Sequence, residues 1–109
     1  MSVSDQELIR HILEETSFIL DTIKDKNRDE VLHNGIIFRA IIRSLEIIGK
    51  ATKKLNEDFK TLYPQIEWKK MARTRDILIH VYFEIDSDII WNILTEKIPP
   101  LHQFLLQIT

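Results

Sequence analysis

Apolar residues recur at helical spacing along most of the chain, and this periodicity limits the fold more than any other feature. Leu8, Ile9, Ile12, Leu13, Ile19, Leu20 and Ile23 fall on one face of a helix, with charged residues on the other. Ser4, three residues ahead of Glu7, is a capping-box pattern that opens this helix at about residue 5, and the pattern fades at about Lys24. Asp25 to Asn34 is a polar connection with room for one helical turn around Asp29 to Leu32, and Asn34-Gly35 is a turn signal. A second long helix is predicted over Ile36 to Leu55, with Ile37, Ala40, Ile41, Ser44, Leu45, Ile48, Ala51 and Thr52 as an apolar or small stripe. Ile36, Phe38, Ile42 and Ile47 extend it to further faces, so this helix packs against several neighbours or at a subunit interface. Gly49 costs its interior about 1 kcal/mol of helix propensity, a cost consistent with a close helix crossing.

Asn56 to Leu62 reads as a short helix closed by Pro64, and a third main helix runs from Trp68 to about Phe83. Asp86-Ser87-Asp88 offers an N-cap for a fourth, Ile89 to Lys97, which Pro99-Pro100 terminates or restarts. Leu101 to Ile108 is the last, packing through Leu101, Phe104, Leu105 and Ile108. Only 2 Gly and 3 Pro argue against a turn-rich β architecture. The expectation is an all-α fold, an antiparallel bundle of four to six helices in one domain over residues 1–109.

The absence of Cys removes disulfides, thiolate nucleophiles and thiolate metal sites. No apolar run approaches the roughly 18 residues of a membrane span, and Met1-Ser2-Val3-Ser4-Asp5 lacks the regions of a signal peptide, so a cytoplasmic location is the default. A net charge of −2 lacks the basic excess usual in nucleic-acid binders. Acidic residues crowd the first third, however, while Lys50, Lys53, Lys54 and then Lys69, Lys70, Arg73, Arg75 form basic clusters able to attract a polyanion.

Met71 to Phe83 carries the candidate chemistry, as Arg75-Asp76-x-x-x-His80-x-Tyr82 within an otherwise apolar run. Asp76 and His80 stack at i,i+4 on a helix, whereas Arg75 and His80, five apart, diverge by about 140°. A two-fold dimer in which two such helices meet would line one groove with both residues from both subunits. A histidine that moves protons near neutral pH and an arginine that matches phosphate oxygens suit metal-free cleavage of RNA by its own 2′-hydroxyl. The spacing equally fits an ion pair on a helix surface with His80 capping backbone carbonyls. No Gly-rich phosphate loop, His-x-x-x-His pair or Gly-x-Ser-x-Gly turn supports rival chemistries, and His11, His33 and His102 show no ligand spacing, so neither cofactor nor metal is expected. Trp68 and Trp91 read as packing anchors.

Residues Met71 to Asp86 closely resemble the Arg-x-x-x-x-His-x-Tyr signature of HepT-like toxins of the HEPN superfamily. Arg43-Ser44-Leu45-Glu46-Ile47-Ile48-Gly49-Lys50-Ala51 is similar to that family's Arg-x-Leu-Glu-Ile-Ile-Gly-Glu-Ala segment, and Ile89-Ile90-Trp91 with Pro99-Pro100-Leu101 resembles its C-terminal helices. The resemblance implies a helical homodimer acting as a metal-independent RNA endonuclease, the toxin of a toxin–antitoxin pair. By position it makes Arg75 and His80 the ribonuclease residues, with Asp76 supporting them. Tyr82 matches the tyrosine to which an antitoxin, a minimal nucleotidyltransferase of the MNT type, transfers AMP. Lys50 stands where the family has Glu and Glu84 where it has Gly, while Arg75, His80 and Tyr82 keep the pattern. The rival expectation is a non-catalytic helical binding subunit of a nucleotidyltransferase.

Overall fold

A computed structural model of the chain describes residues 4–83 and 86–109; the side chains at positions 77 and 79–83 fall outside that description. Met1-Ser2-Val3 and Glu84, on which sequence expectations rested, therefore lie outside the described residues. The described secondary structure is all helix: α1 (Asp5–Ile23), α2 (Arg28–Leu32), α3 (Gly35–Lys54), α4 (Glu57–Leu62), α5 (Trp68–Phe83), α6 (Ser87–Asn92), a π-helical turn (Ile93–Lys97) and α7 (Ile98–Ile108). The segments α6 to α7 abut without a break, so six helical bodies result, as the periodicity predicts.

Local signals set most of the boundaries. The Ser4 hydroxyl accepts from the Glu7 amide at 3.2 Å, starting α1. Asp25, at φ 60°, leaves the helix in the left-handed region just after Lys24, whose N–H closes on the Leu20 carbonyl. The full reciprocal capping box lies at Asn27 and Glu30, and it makes α2 a regular helix rather than a bare turn. Asn34 serves as the N-cap of α3, with its side-chain oxygen accepting from the amides of Ile36 and Ile37 at 3.1 and 3.0 Å. Asn34-Gly35 is therefore a helix start, with Gly35 already in the first turn.

Of the two outcomes expected at Pro99-Pro100, a stop or a restart, the structure shows the restart. Both prolines lie in the first turn of α7, where missing N–H donors matter least. The π turn immediately before them lets the Ile98 N–H reach back to the Ile93 carbonyl, so the helix passes through the site of donor loss. The Thr95 hydroxyl donates to the Trp91 carbonyl at 2.8 Å beside it.

The long helices share one core. α3 is its centre, packing against α1 and α5, with α2 across its start, while α1 also packs against α7. Asp5 at the start of α1 holds Asn56 just beyond α3, and Glu15 accepts from Ser44 in mid-α3, so the two helices run antiparallel. Ile9, Ile12, Ile19, Ile41, Leu45, Leu94 and Leu105 are almost fully buried in this core. Each buried aliphatic side chain of this size contributes about 1.5–3 kcal/mol of transfer free energy. The predicted stripe of α3 is the buried one at Ile41, Ser44, Leu45, Ile48, Ala51 and Thr52, whereas Ile36 points to solvent. No helix among the described residues is long and apolar enough to cross a membrane.

Candidate functional site

The helix bearing the candidate residues is fixed at its start by an aromatic cluster. Trp68 is buried and its indole N–H donates to the carbonyls of Lys60 and Tyr63 at 3.1 and 3.0 Å, so it satisfies the end of α4 while seating the first residue of α5. The Phe59 ring packs against those of Tyr63 and Trp68, and Tyr63 meets Phe104 of α7 edge-on. Trp68 is thus the packing anchor that the sequence suggests, and Trp91 packs half-buried on the same core.

Further along, α5 is pinned against α3 at Gly49. A Cβ at that position would lie 3.5 Å from the Arg75 Cβ, 3.5 Å from the Met71 carbonyl oxygen and 3.6 Å from the Arg75 amide nitrogen. The close crossing expected at Gly49 is therefore made with the turn of α5 that carries Arg75. Leu78, one turn beyond Thr74, is buried and holds the next stretch of the helix to the core.

Arg75 and Asp76 are both exposed, so their charged ends stand in water while the backbone beneath them is packed. Positions 80 and 82 lie on α5 as predicted, but the side chains of His80 and Tyr82 fall outside the described ones. The structure therefore places all four candidates on one helix and describes the side chains of Arg75 and Asp76. Positions 69, 73, 76 and 80 recur at spacings of four, three and four, which puts them along one line of α5. Ion pairing on this helix occurs at its start, where Lys70 meets Glu67 at 2.8 Å. The hydrogen bond and charge of Lys70 hold the Glu67 carboxyl below its ordinary pKa.

The opposite flank of α5 borders a groove of about 960 Å³ between α3, α5 and the continuous C-terminal helix. Its floor includes Leu45, Ile48, Met71, Ile93 and Phe104, while Thr74 lies on its α5 side. Sequence periodicity marks these positions as core-facing but gives no sign that α5 and the C-terminal helix stand apart.

Two polar ties brace the scaffold and were invisible as local motifs. Thr16 Oγ1 lies 2.7 Å from His102 Nδ1, joining α1 to α7, and the Ser44 hydroxyl donates to Glu15 at 2.6 Å, joining α3 to α1. His102 is thus part of the bundle's internal wiring, although along the sequence it looks isolated. His11 and His33 are exposed, His33 beside Asp29 at 3.4 Å. Among the described residues no three His, Asp or Glu side chains converge into a metal-sized cluster.

Comparison with known proteins adds to this geometry. Residues 12–108 match the family model described as Ribonuclease HepT-like. A protein of Methanocaldococcus jannaschii provisionally named an RNase is 51% identical over 81% of this chain and 73% of its own length. A second such protein of the same organism is 41% identical over 83% of both chains. A Thermococcus cleftensis protein named a probable ribonuclease HepT is 39% identical over 93% of this chain and 92% of its own. No solved structure matches. With the family model spanning nearly the whole chain, and helices where the signature requires them, the chain belongs to the Ribonuclease HepT-like family of the HEPN superfamily.

Proposed function

We propose that this chain is a metal-independent RNA endonuclease, with Arg75 and His80 as catalytic residues and Asp76 supporting them. The observation that carries the proposal is the Arg75-Asp76-x-x-x-His80-x-Tyr82 order on α5 in a chain of the Ribonuclease HepT-like family. In the proposed reaction the 2′-oxygen of one nucleotide attacks the adjacent phosphorus and the bond to the 5′-oxygen breaks. His80 handles a proton, taking it from the 2′-hydroxyl or giving it to the departing 5′-oxygen. Arg75 donates hydrogen bonds to the phosphoryl oxygens as negative charge builds on them. Its exposed guanidinium on a packed backbone suits that role, because the head can reach a phosphate while its origin stays fixed. A homodimer in which α5 of each subunit contributes to one groove supplies the second Arg/His set.

The proposal extends to regulation. Transfer of AMP from ATP to the Tyr82 hydroxyl, with pyrophosphate leaving, would place a bulky anion two positions from His80 and repel an RNA phosphate. The partner in that reaction is an MNT-type nucleotidyltransferase, which makes the chain the toxin of a toxin–antitoxin pair.

The test is incubation of the purified, partner-free protein with tRNA and total RNA in EDTA, beside His80→Ala and Arg75→Ala. Cleavage that persists in EDTA and is lost in His80→Ala, with both proteins equally helical by circular dichroism, is the expected result. Folded, unmodified protein that cuts no RNA would sink the catalytic reading in favour of a helical binding subunit of a nucleotidyltransferase.

A further inference from the structure

The two basic clusters of the sequence meet at one end of the α3/α5 pair. Ser44 turns toward α1 through its bond to Glu15, Leu45 and Ile48 point into the core, and Gly49 faces α5. At about 100° per residue the next flank of α3, on the solvent side of the crossing, carries Glu46, Lys50 and Lys53. On α5, Met71 and Leu78 point inward and Arg75 abuts Gly49, so the matching outer flank carries Lys69, Ala72 and Asp76, while Arg73 borders the groove at the C-terminal helix. Gly49, near the end of α3, meets Met71 and Arg75, near the start of α5, so the lysines at the end of α3 lie level with those at the start of α5.

Toward the α3 C-terminus and α5 N-terminus stand Lys50, Lys53 and Lys69, all exposed, and none of the ion pairs among the described residues engages them. Toward the other end stand Asp76 and Glu46, and Glu46 is paired with Arg43 at 3.3 Å. Cations outside the ion pairs beside an arginine offer point charges to a polyanion.

We propose that Lys50, Lys53 and Lys69 form a phosphate track that leads single-stranded RNA across the α3/α5 seam to Arg75. The inference rests on the ribonuclease reading and adds which residues hold the strand. Lysines on flexible stems act as point charges toward phosphates, so the track grips the backbone and tolerates any base sequence. It raises affinity while leaving the chemical step to Arg75 and His80.

The experiment uses the full chain and a fluorescein-labelled 12-nucleotide oligouridylate. Cleavage kinetics and anisotropy binding are measured between 50 and 200 mM KCl for the parent and Lys53→Glu/Lys69→Glu. Arg10→Glu, an exposed basic position on α1, serves as a control for bulk charge. The double variant should raise KM about tenfold or more with kcat within about twofold. Its log–log salt slope should shrink by about 1.4, some 0.7 for each phosphate contact to a single strand. A parent that cuts the oligonucleotide while the double variant matches it in KM and slope overturns the track alone. An equal loss in Arg10→Glu also overturns it, since net charge would then explain the effect. Track-dependent binding without cleavage supports the track and removes the catalytic reading, whereas a folded parent that neither binds nor cuts removes both.

Discussion

Replacing Gly49 with Ala tests the description of the seam that supports Arg75. The added methyl would meet the Arg75 Cβ and the Met71 carbonyl at 3.5 Å and the Arg75 amide at 3.6 Å, which are ordinary contact distances. No neighbour has to move, so the cavity and strain terms are close to zero and backbone entropy decides the sign. A helix interior gains about 0.8–1 kcal/mol when Gly becomes Ala. In a domain of about 100 residues that corresponds to a melting temperature higher by roughly 4–8 °C. Gly49→Leu behaves oppositely, because a longer branch has to displace α5 and overpacking typically costs about 1–3 kcal/mol. Both variants are measured by urea denaturation followed by circular dichroism at one fixed protein concentration, with the m-value as the check on a common unfolding transition. If Gly49→Ala is destabilised with an unchanged m-value, the helices cross more closely than described and the account of the seam fails. RNA cleavage by Gly49→Ala should remain at the parental rate, since the substitution leaves the Arg75 turn in place.

Other consequences are as direct. Thr16→Val removes the oxygen joined to His102 Nδ1, at a fully buried position, and should cost about 1–3 kcal/mol, whereas His102→Ala in the Thr16→Val background should add less than it does alone. Asp25→Gly relieves a left-handed residue after α1 and should raise stability by up to about 1 kcal/mol in the same denaturation assay. The Glu67 carboxyl, held below its ordinary pKa by Lys70, binds a proton more weakly folded than unfolded. Its small stabilising effect is therefore complete above the ordinary carboxylate range and is lost as pH falls through the lowered value; a carboxyl titration by NMR should move upward in Lys70→Ala and in high salt.

Helix content, order and most boundaries were legible because they depend on local rules. Trp68 to Phe83 is helical as the apolar pattern indicates, and Asp86 caps α6 through the amides of Asp88 and Ile89. The failures share a cause, the competition of one local rule with another or with distant packing. Asn34-Gly35 has turn chemistry, yet the same Asn oxygen serves an N-cap once an apolar helix follows. Pro99-Pro100 signals an end or a restart, and only the packing decides for the restart, with both prolines in the first turn of α7 after a π turn. The Thr16–His102 tie spans 86 positions, and no periodicity within one helix reveals it. At the candidate site the order of Arg75, Asp76, His80 and Tyr82 could be read directly. The contact of Gly49 with the Arg75 turn could not, because it depends on how two helices cross.

A net charge of −2 lacks the basic excess usual in polyanion binders, but it leaves room for local basic clusters. Net charge is a sum over the surface, whereas a polyanion responds to the field where it lands. Several of the acidic side chains on the first helices are engaged in internal work: Asp5 holds Asn56, Glu15 holds Ser44, and Glu30 completes the box at Asn27. The cations at the α3/α5 end have no such duties among the described residues, apart from Lys70, which pairs with Glu67. The fold thus spends carboxylates on its own joints and leaves positive charge at the seam. That seam is also where α3 meets the backbone of Arg75, at Gly49. A packed base and an exposed guanidinium are separate results of helix packing, and the phosphate contact proposed for Arg75 requires both.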